Sequence, residues 1–131
     1  MLDYIIVADD DEDDRMVMEE VLAEVQFPLP VYFTKNGYEV ISHLEQSDNL
    51  LPKFIVLDLN MPKISGMEVL KYIRGNDRFV SIPIYIMTTS GGETDKIRCL
   101  ALGAKAFFTK PDTYSEMLEW AATIKLLQST I

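Results

Sequence analysis

Five short apolar runs rich in β-branched residues alternate along the chain with stretches of helical periodicity, and this alternation limits the possible folds severely. Tyr4-Ile5-Ile6-Val7-Ala8 is followed by Met18, Val21, Leu22 and Val25 at helical spacing. Val31-Tyr32-Phe33-Thr34 comes after Pro28 and Pro30, which close off that helix, and leads through the turn signal Asn36-Gly37 to Val40, Ile41 and Leu44. Phe54-Ile55-Val56-Leu57 precedes a helix marked by Gly66, Val69, Leu70 and Ile73, which stops around Gly75-Asn76. Ile84 to Met87 precedes a helix whose inner face is expected at Ile97, Leu100, Ala101 and Ala104, with Gly103 as its end signal. Ala106-Phe107-Phe108 precedes a last helix carrying Tyr114, Met117, Leu118, Ala121 and Ile124. A strand–helix unit repeated five times calls for a parallel sheet with helices on both faces.

The 131 residues suit one domain spanning 1–131, with 48% hydrophobic residues to fill its core. No repeat, linker or low-complexity stretch is present, so no output domain is expected. A formal charge of −9 repels phosphate backbones, which argues against direct nucleic-acid binding. No run approaches the roughly 20 apolar residues of a membrane span, so no membrane partner is expected. The first apolar run is too short for a signal core and ends in acids. Cys99 is the only cysteine, so no internal disulfide is possible, which suits a reducing compartment; it reads as a small buried or half-buried helix residue. The expectation is a soluble cytoplasmic protein. Lone His43 reads as a surface residue, and Trp120 as half-buried helix packing.

In a doubly wound sheet, ligands bind beyond the carboxyl ends of the strands. The first strand runs into Asp9 and Asp10, within Asp9-Asp10-Asp11-Glu12-Asp13-Asp14; the third into Asp58; the fourth into Thr88, then Thr89-Ser90-Gly91-Gly92; the fifth into Lys110-Pro111. Carboxylates gathered at adjoining strand ends repel one another unless a cation sits among them, and oxygen-only ligands in a small site suit Mg²⁺. The acidic run is not an EF-hand loop, because its sixth position is Asp14 where that loop needs glycine. Asp11 to Asp14 read more simply as acids at a helix N-terminus, where they satisfy its amides and dipole. Lys110 would pair with Asp58 and later with a phosphoryl oxygen, and Pro111 is a candidate for a cis peptide that would aim the lysine inward. Thr88 would donate its hydroxyl to the same group. Phosphoryl transfer needs charge neutralisation and in-line placement more than covalent help, and Asp58 is the nucleophile such a set would serve.

Five separated signals now stand in order: Asp9-Asp10, Asp58 within Leu57-Asp58-Leu59-Asn60-Met61-Pro62, Gly66, Thr88-Thr89-Ser90 five residues beyond Pro83, and Lys110-Pro111. Over its whole length the chain resembles the receiver domain of two-component response regulators, of the stand-alone type. The resemblance implies a flavodoxin-like (βα)5 fold with five parallel strands in the order 2-1-3-4-5. It implies that Asp58 accepts a phosphoryl group from a sensor histidine kinase or a histidine phosphotransfer protein. Asp10 and Asp58 would ligate Mg²⁺ through their side chains, Asn60 through its backbone carbonyl, and Asp9 mainly through water. Thr88 and Lys110 would hold phosphoryl oxygens. Asn60 and Ser90 would tune the lifetime of the acyl phosphate. Phe107 occupies the place of a rotating switch aromatic, often tyrosine in relatives; the alternative is a plain strand residue. Gly91-Gly92 would keep the loop before the fourth helix supple. The family are signalling phosphoacceptors with self-catalysed phosphorylation and dephosphorylation, not enzymes acting on a separate substrate. Output would pass by contact to a protein target, or to a second copy, through the fourth helix, fifth strand and fifth helix; the apolar tail Ile124, Leu126, Leu127 and Ile131 would contribute mainly to packing.

Three rival readings fit less well. A haloacid dehalogenase type of phosphatase needs a second acid where Asn60 stands and has no room for a cap domain. A flavodoxin needs a phosphate loop where this chain has a row of acids, and neither a dinucleotide fingerprint nor a P-loop is present. A pseudo-receiver that binds partners without phosphorylation would have no need to keep Asp10, Asp58, Thr88 and Lys110 together.

Overall fold

The computed structural model describes residues 3–46, 50–89 and 92–129. Five strands and five helices alternate: β1 (Ile5–Ala8), α1 (Glu12–Glu24), β2 (Val31–Thr34), α2 (Gly37–Gln46), β3 (Ile55–Leu57), α3 (Gly66–Arg74), β4 (Ile84–Thr88), α4 (Glu93–Ala101), β5 (Ala106–Thr109) and α5 (Tyr114–Gln128). The strands form one parallel sheet in the order β2-β1-β3-β4-β5, as the resemblance implies. Order reverses between β1 and β3, which pair in the register Ala8↔Leu57.

Two cores follow from the period-2 alternation of the strands. Ile6, Ala8, Ile55, Leu57, Ile84 and Ile86 face Val40 and Leu44 of α2, Val69, Leu70 and Ile73 of α3, and Cys99 of α4. Ile5, Val7, Val56, Tyr85 and Met87 face Met18, Val21 and Leu22 of α1 and Met117, Trp120, Ala121 and Ile124 of α5. β1 and β3 are therefore apolar at every position, as is β4 up to its last residue, Thr88, and each fully buried isoleucine contributes about 1.5–3 kcal/mol.

Local chemistry sets the helix boundaries. Asp11 caps α1 by accepting from the Asp14 amide, and Glu12, Asp13 and Asp14 occupy the positive end of its dipole. Ser65 and Glu68 form a capping box at the start of α3. Gly103 follows α4 with φ of 98°, in the left-handed region that glycine occupies without strain.

Three expectations need correction. On α4, Ile97 is 60% and Leu100 41% exposed, against the expected inner face, whereas Cys99 is buried as its reading expected. This helix lies over the end of the sheet and meets it along a narrow stripe. Trp120 is more deeply buried than half, with its indole N–H inside the α5 core and without an acceptor among the described residues. His43 is half-buried: its Nε2 lies 3.0 Å from the Tyr4 hydroxyl and its ring stacks on Tyr32 at 4.2 Å.

Gly66 ties α3 to the strand that carries the main candidate site residue. A Cβ at Gly66 would lie 2.1 Å from the Asp58 carbonyl oxygen and 2.7 Å from Leu59 Cα, both backbone atoms with little freedom to move. Gly66→Ala is therefore expected to destabilise the fold by about 3 kcal/mol, near the upper end for overpacking. Calorimetry should show a fall in Tm of about 10 °C. A Tm within a degree or two of wild type would mean that α3 can back away from β3.

Candidate functional site

Because the five strands are parallel, their carboxyl ends share one edge, and hydrogen bonding continues one residue past several of them. The Asp9 amide donates to the Thr34 carbonyl at 3.0 Å, the Asp58 amide to the Ala8 carbonyl at 3.0 Å, and the Lys110 amide to the Thr88 carbonyl at 2.9 Å. Asp9, Asp58 and Lys110 are thus held by the sheet itself. All three are buried, as are Thr88 and Thr34.

Asp9, Asp10 and Asp58 each bring one carboxylate oxygen within 4.8 Å of the others; Asp9 and Asp58 are buried while Asp10 is exposed. Asp58 Oδ1 accepts from the Asn60 amide at 3.1 Å, which fixes its rotation, and Asp9 Oδ1 accepts from the Asp11 amide at 2.9 Å. Arg15 reaches back from α1 to donate to the Asp9 carbonyl oxygen at 2.8 Å. The second oxygens face the Lys110 ammonium, which lies 2.6 Å from Asp9 Oδ2 and 3.2 Å from Asp58 Oδ2. A further carboxylate oxygen, Asp14 Oδ2, accepts from the same ammonium at 2.9 Å. Burial works against the charged lysine, but the carboxylates around it outweigh burial and hold its pKa well above the usual lysine range. Burial lifts the Asp9 carboxyl above the ordinary aspartate range, a rise that Lys110 and the Asp11 amide only partly offset.

The oxygen trio fits a hard divalent cation. Asp9 Oδ2 is sealed from water and, among the described residues, has no partner besides the ion pair with Lys110, leaving lone-pair capacity uncovered. A donor set of carboxylates, partly open at Asp10, suits a small cation that keeps some of its waters. Mg²⁺ at tenfold excess over its Kd is therefore expected to add about 1.4 kcal/mol of stability. For a domain of this size that raises Tm by about 5 °C, reversed by chelator. A Tm that ignores Mg²⁺ from micromolar to tens of millimolar would count against a cation site here.

The structure brings Asp9, Asp10, Asp58 and Lys110 together as the strand-end reading expected. Asn60 is exposed beside Asp58, and Thr88 is buried in β4. Phe107 is half-buried and packs against the core on the α2–α3–α4 side of the sheet. Ser90 and Gly91 lie outside the described residues, as does Ile131. The expectation of a cis peptide at Pro111 is not met, since no cis peptide occurs among the described residues. Lys110 reaches the acids from a trans bond, its amide already aligned by the Thr88 carbonyl. Asp14 and Arg15 were missed as site residues. The available signal was position: α1 begins within three residues of Asp9, so its first turn folds back over the strand ends.

Comparison with known proteins places these features in a family. The model of the response regulator receiver domain matches residues 5–122. The chemotaxis protein CheY1 of Helicobacter pylori is 30% identical over 109 residues, covering 83% of this chain and 86% of that protein. The response regulator Rcp1 of Synechocystis is 28% identical over 125 residues, covering 92% and 85%. The crystal structure of the Mn²⁺-bound form of Rcp1 superimposes with a TM-score of 0.85 at 28% identity, over 94% of this chain and 91% of that one. That of the phosphorylated cyanobacterial phytochrome response regulator RcpA gives a TM-score of 0.89 at 27% identity, over 98% and 94%.

Proposed function

The chain belongs to the response regulator receiver domain family of two-component signalling, and from that premise we propose that Asp58 is its phosphoacceptor, supported by Mg²⁺. The observation that carries this reading is the setting of Asp58: a buried carboxylate, one oxygen oriented by the Asn60 amide, the other 3.2 Å from a buried ammonium, with Asp9 and Asp10 alongside.

An Asp58 carboxylate oxygen attacks the phosphorus of a phosphohistidine or of a small phosphodonor. The bond from phosphorus to the donor's nitrogen or oxygen breaks, the electron pair leaves with the donor, and an acyl phosphate remains on Asp58. Asp9, Asp10 and Asp58, with the Asn60 carbonyl, would hold the cation, which supplies neutralisation of the phosphoryl oxygens. Lys110 offsets charge gathering on those oxygens from the other side, and Thr88 donates its hydroxyl to one of them. Later attack of water on phosphorus returns the carboxylate and releases inorganic phosphate. Asn60 and Ser90, two residues beyond Asp58 and Thr88 in the sequence, would tune the rate of that step.

The whole chain, 1–131, is read as one receiver domain. Its phosphoryl source is a sensor histidine kinase or a histidine phosphotransfer protein, in a cytoplasmic setting. Output passes by contact through α4, β5 and α5 to a protein target or a second copy. Exposed Ile97 and Leu100 on α4 support that surface, with half-buried Phe107 of β5 as the switch that Thr88 moves. Among the described residues no helix is long and apolar enough to cross a membrane.

The test is incubation with a small-molecule phosphodonor, with and without Mg²⁺, read by intact mass. The expected result is a gain of one phosphoryl that chelator prevents. Mg²⁺ binding without any phosphoryl gain would replace this reading with that of a phosphorylation-independent binding module.

A further inference from the structure

Lys110 faces three carboxylates, and they are not equivalent. Asp9 and Asp58 stand at strand ends and belong to the oxygen trio that fits a divalent cation. Asp14 comes from the first turn of α1, lies outside that trio, and keeps its side chain 36% exposed while its Oδ2 accepts from the ammonium at 2.9 Å. A cation entering among Asp9, Asp10 and Asp58 takes the two carboxylates that otherwise neutralise Lys110. A buried ammonium stripped of its partners is strongly unfavourable, so the lysine needs another acceptor close by. Asp14 is that acceptor, already in contact and not engaged by the cation. Its own backbone is fixed, because the Asp14 amide donates to the Asp11 cap at 3.0 Å.

We infer that Asp14 is a positioning residue that holds the Lys110 ammonium when a divalent cation occupies the acid trio, keeping the lysine at the edge of the site where an incoming phosphoryl oxygen would arrive. The lysine then moves by a short swing from one anion to another, instead of competing with the cation for Asp9 and Asp58. The second half of this inference rests on the phosphoacceptor reading of Asp58; the first half concerns cation binding alone.

The two halves are tested by separate readouts on the intact chain. Mg²⁺ affinity is measured by calorimetry for wild type, Asp14→Asn, Lys110→Met and the double variant, with folding verified by circular dichroism at the top of each titration. Asp14→Asn is expected to weaken Mg²⁺ binding by about three- to tenfold, a usual size for a coupling within one charge network. In the Lys110→Met background the same substitution should have little effect, since no ammonium needs relocating. Glu12→Gln removes an equal charge from the same exposed turn and calibrates long-range attraction; it should act weakly and equally in both backgrounds. Equal effects of Asp14→Asn with and without Lys110, or an effect no larger than that of Glu12→Gln, would overturn the inference. For the second half, the rate of phosphoryl gain at saturating Mg²⁺ should fall severalfold in Asp14→Asn and recover in Asp14→Glu. An unchanged rate would sink that half. If wild type takes up no phosphoryl at all, the reading of Asp58 fails with it, while the Mg²⁺ cycle still decides whether Asp14 holds the lysine.

Discussion

Asp58→Asn is expected to abolish phosphoryl gain altogether while leaving the fold in place. The fold survives because the contacts that position residue 58 are mostly backbone: its amide donates to the Ala8 carbonyl, and its carbonyl packs under Gly66. An asparagine Oδ1 can still accept from the Asn60 amide, now at 3.1 Å from the carboxylate. Chemistry does not survive. An amide oxygen is a poor nucleophile toward phosphorus, and the amide NH₂ would point a donor at the Lys110 ammonium, where Oδ2 now lies 3.2 Å away. Intact mass after incubation with a phosphodonor and Mg²⁺ should show one added phosphoryl on wild type and none on the variant. The thermal transitions of the two without metal should lie within a few degrees of each other, since the variant gives up one ion-pair contact but also removes one of three mutually repelling acids. A full phosphoryl gain on Asp58→Asn would falsify the assignment and move the acceptor to Asp9 or Asp10.

How far the sequence speaks for itself differs from element to element. The central strands were legible because they are buried on both faces: Ile5 to Ala8 and Ile55 to Leu57 read as unbroken apolar runs. The strand-end residues were legible because the parallel topology puts every strand's last residue on one edge, whatever the loops do. Helix faces were readable where a helix crosses the middle of the sheet, as α3 does with Val69, Leu70 and Ile73. At the end of the sheet the same rule failed. The helix α4 has apolar residues on two sides, and while Cys99 was read correctly as an inner residue, the pattern alone could not say that Ile97 and Leu100 would stay out. Asp14 was hidden for a different reason. An acid in a first helical turn already has an explanation in the helix dipole, and only three-dimensional proximity reveals its second engagement with Lys110, 96 residues away in sequence. The lysine's inward aim needs no cis proline: its amide continues the sheet's hydrogen bonding to the Thr88 carbonyl, and its ammonium meets Asp9 and Asp58 with no cis peptide among the described residues.

Lys110→Met should have two large consequences, and their dependence on Mg²⁺ and pH identifies their cause. In the metal-free protein the substitution leaves Asp9 and Asp58 buried with no ammonium against them. Breaking a buried pair by removing one partner typically costs about 3–5 kcal/mol. The side chain of Asp14 is partly exposed and Asp10 is open to water, so hydration reaches the site and the lower end, about 3 kcal/mol, is expected here. This corresponds to a fall in Tm of about 10 °C. Mg²⁺ should recover most of it, because a divalent cation replaces the missing positive charge. The pH dependence has a definite sign. Burial already holds the Asp9 carboxyl above its ordinary range with Lys110 present, and loss of the lysine raises it further. A carboxyl whose pKa is higher in the folded than in the unfolded state destabilises the fold when ionised, so the deficit is largest above that raised value. It should shrink as pH falls through it. Phosphoryl gain, measured at saturating Mg²⁺ and neutral pH, should slow by about 10²-fold or more, the size expected when one charged donor to a developing anion is removed. Thermal denaturation with and without Mg²⁺ at two pH values, beside the mass assay, checks both. A metal-free variant as stable as wild type would mean that the acids relax apart or take up protons at little cost. A wild-type rate of phosphoryl gain would show that Lys110 holds the resting site together without taking part in the transfer.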